Sequence, residues 1–104
     1  TQTVILKGVA SSPTSKAIVY WNESTHATHI LVSNLPAPPE GKQYQLWSLF
    51  NGKPIDAGVF NVDTNLTLQQ VKNIENAKAF AVTLENKGGS IAPTLTAMYV
   101  VGNI

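Results

Sequence analysis

The chain contains no cysteine. That absence removes a disulfide scaffold, a thiolate metal site and a cysteine nucleophile together. It leaves the redox compartment open, because a domain of this size can stand on its hydrophobic core alone. Charge is also scarce. Asp, Glu, Lys and Arg make up 12% of the 104 residues, about half the usual share of roughly 25%. Ser, Thr, Asn and Gln must supply the polar surface, a composition that suits an all-β protein of the cell exterior or envelope. Basic residues form no run, and the formal net charge is only +1. A nucleic-acid interface needs a clustered positive footprint, so that class is disfavoured. The longest uninterrupted apolar runs reach three to five residues, far short of the roughly 18 of a membrane span. No basic leader with an apolar run opens the chain. It begins at Thr1-Gln2-Thr3 without an initiator Met and reads as one domain, residues 1–104, excised from a longer protein.

What is present is a period-two pattern. Thr3–Val9, Lys16–Trp21 and His26–Ser33 read as strands. Asn34–Gly41 carries Pro36, Pro38 and Pro39 and must be a loop, because proline removes ladder donors and fixes φ. Lys42–Phe50 is the strongest strand. Tyr44, Leu46 and Phe50 point one way and Trp47 and Leu49 the other, so it should be central and covered on both faces. Asn51-Gly52 is a hairpin turn that needs positive φ, and Ile55–Asn61 returns as the partner strand. The pattern then predicts a strand over 64–70, with Thr64 or Asn65 as an alternative helix cap, and a helical turn over 72–77. Ala79–Glu85 is a clear strand, Lys87-Gly88-Gly89-Ser90 a turn, and Thr94–Val101 the last strand. Turn signals about every eight to twelve residues and no amphipathic helix between strands predict an all-β fold. The expected form is an antiparallel β-sandwich of about seven to eight short strands, immunoglobulin-like in general architecture.

Little in the chain looks like chemistry. His26 and His29 are the only histidines. Three residues apart on a strand they face opposite ways and cannot share a metal without a bulge. The six acids show no paired spacing. No serine sits in a Gly-x-Ser-x-Gly elbow, and Lys87-Gly88-Gly89-Ser90 lacks the upstream glycine and following helix of a phosphate loop. Asn22-Glu23-Ser24 and Asn65-Leu66-Thr67 match the glycosylation sequon, a pattern common by chance. Glu85 stands apart. It closes an apolar strand just before the Gly88-Gly89 turn, where a carboxylate can accept turn N–H groups that stabilise its charged form. Its expected role is structural, with a ligand contact as the alternative. Tyr20, Trp21, Tyr44, Trp47 and Tyr99 are either core or a sugar-stacking platform, and core is the favoured reading.

Several segments in fixed order then add up. They are Leu35-Pro36 and Pro39-x-Gly41, Tyr44-Gln45-Leu46-Trp47, Gly52 and Pro54, Ala57-Gly58-Val59-Phe60, and Ala81-Val82-Thr83-Leu84-Glu85 with Gly88-Gly89-Ser90 and Pro93-Thr94. Over roughly residues 15 to 101 the chain resembles the C-terminal domain of the anti-sigma-K factor family. One departure is visible: the family usually has Glu-Pro where this chain has Glu85-Asn86.

The resemblance implies the extracytoplasmic domain of a single-pass bacterial membrane protein. In such proteins a cytoplasmic N-terminal domain sequesters an extracytoplasmic-function sigma factor, which is released through regulated proteolysis. This domain would not touch the sigma factor. Its expected partners are a regulatory protease or an envelope protein, and its membrane attachment lies in a segment outside this chain. It would be non-catalytic, with no cofactor and no metal. Tyr44, Leu46, Trp47 and Phe60 would build the sandwich together with Val82 and Leu84. Gly58, Gly88, Gly89 and Pro93 would set its turns and close packing, and Glu85 would brace them. The alternative is a β-sandwich module that binds carbohydrate or another envelope polymer.

Overall fold

The computed structural model describes residues 1–62 and 66–104. Eight strands follow in chain order: β1 (Gln2–Gly8), β2 (Lys16–Trp21), β3 (Thr28–Asn34), β4 (Lys42–Phe50), β5 (Lys53–Phe60), β6 (Leu68–Gln70), β7 (Ala79–Asn86) and β8 (Met98–Asn103). All pair antiparallel in one sheet of order β5-β4-β7-β8-β1-β2-β3-β6. The all-β class, the antiparallel pairing and the strand number are those the sequence predicts. The pattern did not reveal that every strand joins a single curled sheet. Its two edges meet: Lys72 N donates to Ala57 O at 3.0 Å. The Gln69 side chain also bonds both backbone groups of Asn61, at 3.1 and 2.6 Å. The result is a nearly closed barrel, compatible with the sandwich class.

Alternation fills the interior. Val4 and Leu6 of β1, Val19 of β2, Ile30 of β3, Leu46 of β4, Phe80 and Val82 of β7 and Val100 of β8 are all buried in one apolar cluster. Aromatic pairs tie it together. Tyr44 stacks on Phe60 and Trp21 meets Phe80 edge-on, both at 6.1 Å between ring centroids.

The turns follow local chemistry. Asn51 and Gly52 have φ of 53° and 74°, as the two-residue hairpin between β4 and β5 requires. Between β2 and β3 the Asn22 side chain accepts from the Ser24 and Thr25 amides at 2.9 and 3.1 Å. That loop holds His26 at φ 68°, outside the strand the sequence predicts for it, and β3 starts only at Thr28.

Three other expectations are corrected. The predicted strand over 64–70 is found at Leu68–Gln70, and the possible caps Thr64 and Asn65 lie outside the described residues. The helical turn over 72–77 does not form. Its backbone donors go elsewhere: Lys72 N to Ala57 O and Ile74 N to His26 O. Ile74 is 3% exposed and joins the core, and its carbonyl accepts the Trp21 indole N–H at 2.8 Å. Tertiary partners outcompete a weak local helical preference. The last strand also starts later than predicted. Leu95–Ala97 form a 3₁₀ turn, and β8 runs from Met98.

Candidate functional site

The strands β4 and β7 are covered on both sides. Their inward residues, Tyr44, Leu46, Phe80 and Val82, belong to the core cluster. Trp47 and Ala81 are each 1% exposed yet lie outside that cluster. They pair across the two strands, as do Gln45 with Thr83 and Gln43 with Glu85. These residues form an outer layer, and what covers it is the β7–β8 connection.

That layer is held by hydrogen bonds. Glu85, 2% exposed, accepts four. Ser90 Oγ and Thr94 Oγ1 donate to its Oε1 at 2.8 Å each, and Thr83 Oγ1 (2.5 Å) and Thr94 N (2.8 Å) donate to its Oε2. Thr83 Oγ1 in turn accepts the Trp47 indole N–H at 2.8 Å. The Gln45 amide, fully buried in β4, takes both backbone groups of Ser90. Ser90 N donates to its Oε1 at 2.8 Å, and its Nε2 donates to Ser90 O at 3.1 Å. The same Nε2 donates to Asp56 Oδ1 at 2.8 Å, and Asp56 pairs with Lys72. A chain of polar contacts therefore runs from Lys72 through Asp56, Gln45, Ser90, Glu85 and Thr83 to Trp47.

Backbone geometry places these groups. In β5, Asp56 to Val59 spans what Trp47 to Gln45 spans in β4, so a bulge sits at Ala57 and Gly58. Gly58 has φ 103°, and its N–H is taken by Asp56 Oδ1 at 2.8 Å. Gly89 has φ 94°, and a Cβ there would lie 3.0 Å from Gln45 Oε1 and from Val59 Cγ1. The Gln45–Ser90 clasp thus needs glycine beside it.

Burial alone would push the Glu85 carboxyl up, but the donors from Thr83, Thr94 and Ser90 outweigh it and hold it below its ordinary value. Asp56 is likewise lowered: burial acts against the charge, and Lys72, the Gly58 N–H and Gln45 favour it. On the other face, burial and the neighbouring Tyr99 push Tyr44 up to about 12, while its hydroxyl donates to Pro36 O at 2.8 Å.

Beside the network, between the β4–β5 turn and the connection, lies an open cleft of about 360 Å³, lined by Trp47, Leu49, Pro54, Pro93, Leu95 and Met98 among others. Trp47 and Thr83 line it, but their polar atoms are spent on each other and on Glu85.

The residues singled out from sequence fall into two groups. Glu85, Trp47, Gly89 and Pro93 come together on the outer side, while Tyr44, Leu46 and Phe60 face the core. Gly88 has φ 95° with open space around it. Glu85 is held by Ser90, Thr94 and Thr83 and not by the diglycine amides: Gly88 N donates to Gln43 and Gly89 N to Asn86 O. Sequence reasoning placed Ser90 in the turn beside Glu85 but gave no role to Gln45, Asp56, Thr83 or Thr94. The available signal was a glutamine alternating with Trp47 on a strand that needs cover on both faces.

A carboxylate offers about four acceptor positions, and at Glu85 four donors occupy them. It has none left with which to take a proton from a substrate. Among the described residues no three His, Asp or Glu groups are placed to share a metal. Nor is there a sugar platform of tryptophans: Trp21 is 5% exposed and Trp47 1%. No helix among the described residues is long and apolar enough to cross a membrane.

No curated protein matches the chain significantly. No solved structure does either. The family described as "Anti-sigma-K factor rskA, C-terminal" matches residues 2–98, which include β1 to β7 and the whole polar network but only the first residue of β8. The chain belongs to that family, the C-terminal domains of anti-sigma-K factors, which are regulatory proteins.

Proposed function

We propose that this is the extracytoplasmic regulatory domain of a single-pass membrane anti-sigma factor that controls an extracytoplasmic-function sigma factor. The observation that carries the reading is the family match over residues 2–98. The structure is consistent with it. A non-catalytic regulatory module has to be stable and specifically shaped, and here the one deeply buried carboxylate among the described residues is committed to holding a surface segment in place. The sigma factor is engaged by another part of the full protein. This domain controls how readily a protease reaches the membrane-proximal stalk, and its partners are that protease or an envelope protein.

The test uses the full-length protein. Alkaline phosphatase fused after Ile104 is expected to be active and a cytoplasmic fluorescent reporter at the same site dark. Deleting residues 1–104 is expected to change transcription from a promoter dependent on the cognate sigma factor. A bright cytoplasmic fusion would refute the location. An unchanged promoter response, with and without envelope stress, would refute the regulatory role.

A further inference from the structure

The connection between β7 and β8 crosses the outer face of the sheet without burying itself. None of residues 87–97 is buried. Ile91 is wholly exposed and Leu95 is 70% exposed. The 3₁₀ turn within it contributes no buried residue. A segment with so little apolar anchorage is normally free to move, yet this one is fixed by three side chains of β4 and β7 and, at its first residue, by Lys87 N donating to Gly41 O at 2.9 Å. Gln43 Oε1 accepts Gly88 N at 3.1 Å. Gln45 clasps Ser90, and Glu85 holds Ser90 and Thr94.

We infer that residues 87–97 are a strap that detaches as a unit, uncovering Trp47 and the apolar cleft floor around it while the barrel stays folded. Three observations carry this. The strap supplies no residue to the core cluster. The backbone pairings of β4, β7 and β8 are made strand to strand and survive its release. Apart from the Lys87 N bond to Gly41 O at its start, its hydrogen bonds to the sheet end on side chains that stay with the sheet, so water can replace the lost partners once it lifts. What is uncovered is different in kind: the Trp47 indole and the apolar floor it forms with Leu49 and Ala81, in a cleft whose opposite wall is the strap's own Ala92, Pro93 and Leu95. The domain therefore contains a two-state element on its surface, held shut by Gln43, Gln45 and Glu85, with Glu85 making the most of these hydrogen bonds. The inference rests on geometry alone and stands whichever side of the membrane the domain occupies.

Amide hydrogen exchange on the 104-residue domain tests it, comparing Ser90 and Thr94 with the ladder amides of β4, β7 and β8. In the native chain Ser90 and Thr94 should exchange faster than the ladder. Glu85→Gln should accelerate these two at least tenfold and leave the ladder within twofold. Thr94→Val removes one hydroxyl and leaves the backbone N–H. It should give the same ordering on a smaller scale, and it provides the readout if Glu85→Gln lowers overall stability. Strap and ladder amides accelerating in parallel, or no acceleration in either variant, would overturn the strap.

Discussion

The inner and outer faces of β4 and β7 are built from the same two strands, yet they cohere by different physics. Inside, Leu46, Phe80 and Val82 pack in a dry apolar cluster. That attraction is non-directional and scales with buried area. Outside, a tryptophan and an alanine are covered by a segment that hydrogen bonds hold in place. Such a network is directional and cooperative, because losing one member leaves its partners unsatisfied. The inner face sets whether the chain folds. The outer face sets the conformation of a surface.

The largest expected effect is on the inner side. Phe80 is fully buried against Trp21, and Phe80→Ala should lower global stability by about 3–5 kcal/mol, read as a shift of the urea midpoint. Glu85→Ala should cost less, about 2 kcal/mol, and should alter the environment of Trp47 more than the midpoint. A Glu85 loss as large as the Phe80 loss would erase the distinction between the faces.

The glycines of the connection sharpen the contrast. Both adopt positive φ, but only Gly89 has close neighbours, Gln45 and Val59, at 3.0 Å from a would-be Cβ. Gly88→Ala should cost about 1 kcal/mol for its backbone conformation. Gly89→Ala should cost about 2 kcal/mol, because it also displaces the Gln45 clasp. Equal costs in thermal melts would show that the clasp contributes nothing.

The smallest change is expected near neutral pH, and the two faces should diverge at the extremes. Glu85 and Asp56 titrate lower in the folded chain than in the unfolded one. Their contribution is therefore present above the ordinary carboxylate values of about 3.9–4.3 and is lost as pH falls below them. Tyr44 titrates higher when folded. Its contribution is intact below the ordinary tyrosine value of about 10 and is lost as pH rises toward about 12. Acid should loosen the outer layer first and alkali the inner one. Stability curves of Glu85→Gln and Tyr44→Phe check this, each flattening only its own limb.

Much of the fold was legible because local and global signals agreed. Lys42–Phe50 reads as a strand covered on both faces, and the structure supplies both covers. Asn51-Gly52 reads as a tight hairpin, and its dihedrals match. Residues 72–77 were misread because their amides bond to β5 and to the β2–β3 loop, partners that only the folded chain brings near. The network was half legible for the same reason. Glu85 beside a glycine turn announces a braced carboxylate. Gln45 does not announce that it will clasp Ser90, a residue 45 positions away. Bulge and register decide that contact, and neither is written in a short window of sequence.

The central claim is that the outer face is a separate layer whose cover depends on Glu85. Its most direct measurement is acrylamide quenching of two single-tryptophan chains, Trp21→Phe and Trp47→Phe, each with and without Glu85→Gln. Both indoles should be shielded in the native state, and Glu85→Gln should expose Trp47 while leaving Trp21 shielded. Quenching that rises equally for the two tryptophans, or for neither, would contradict the account.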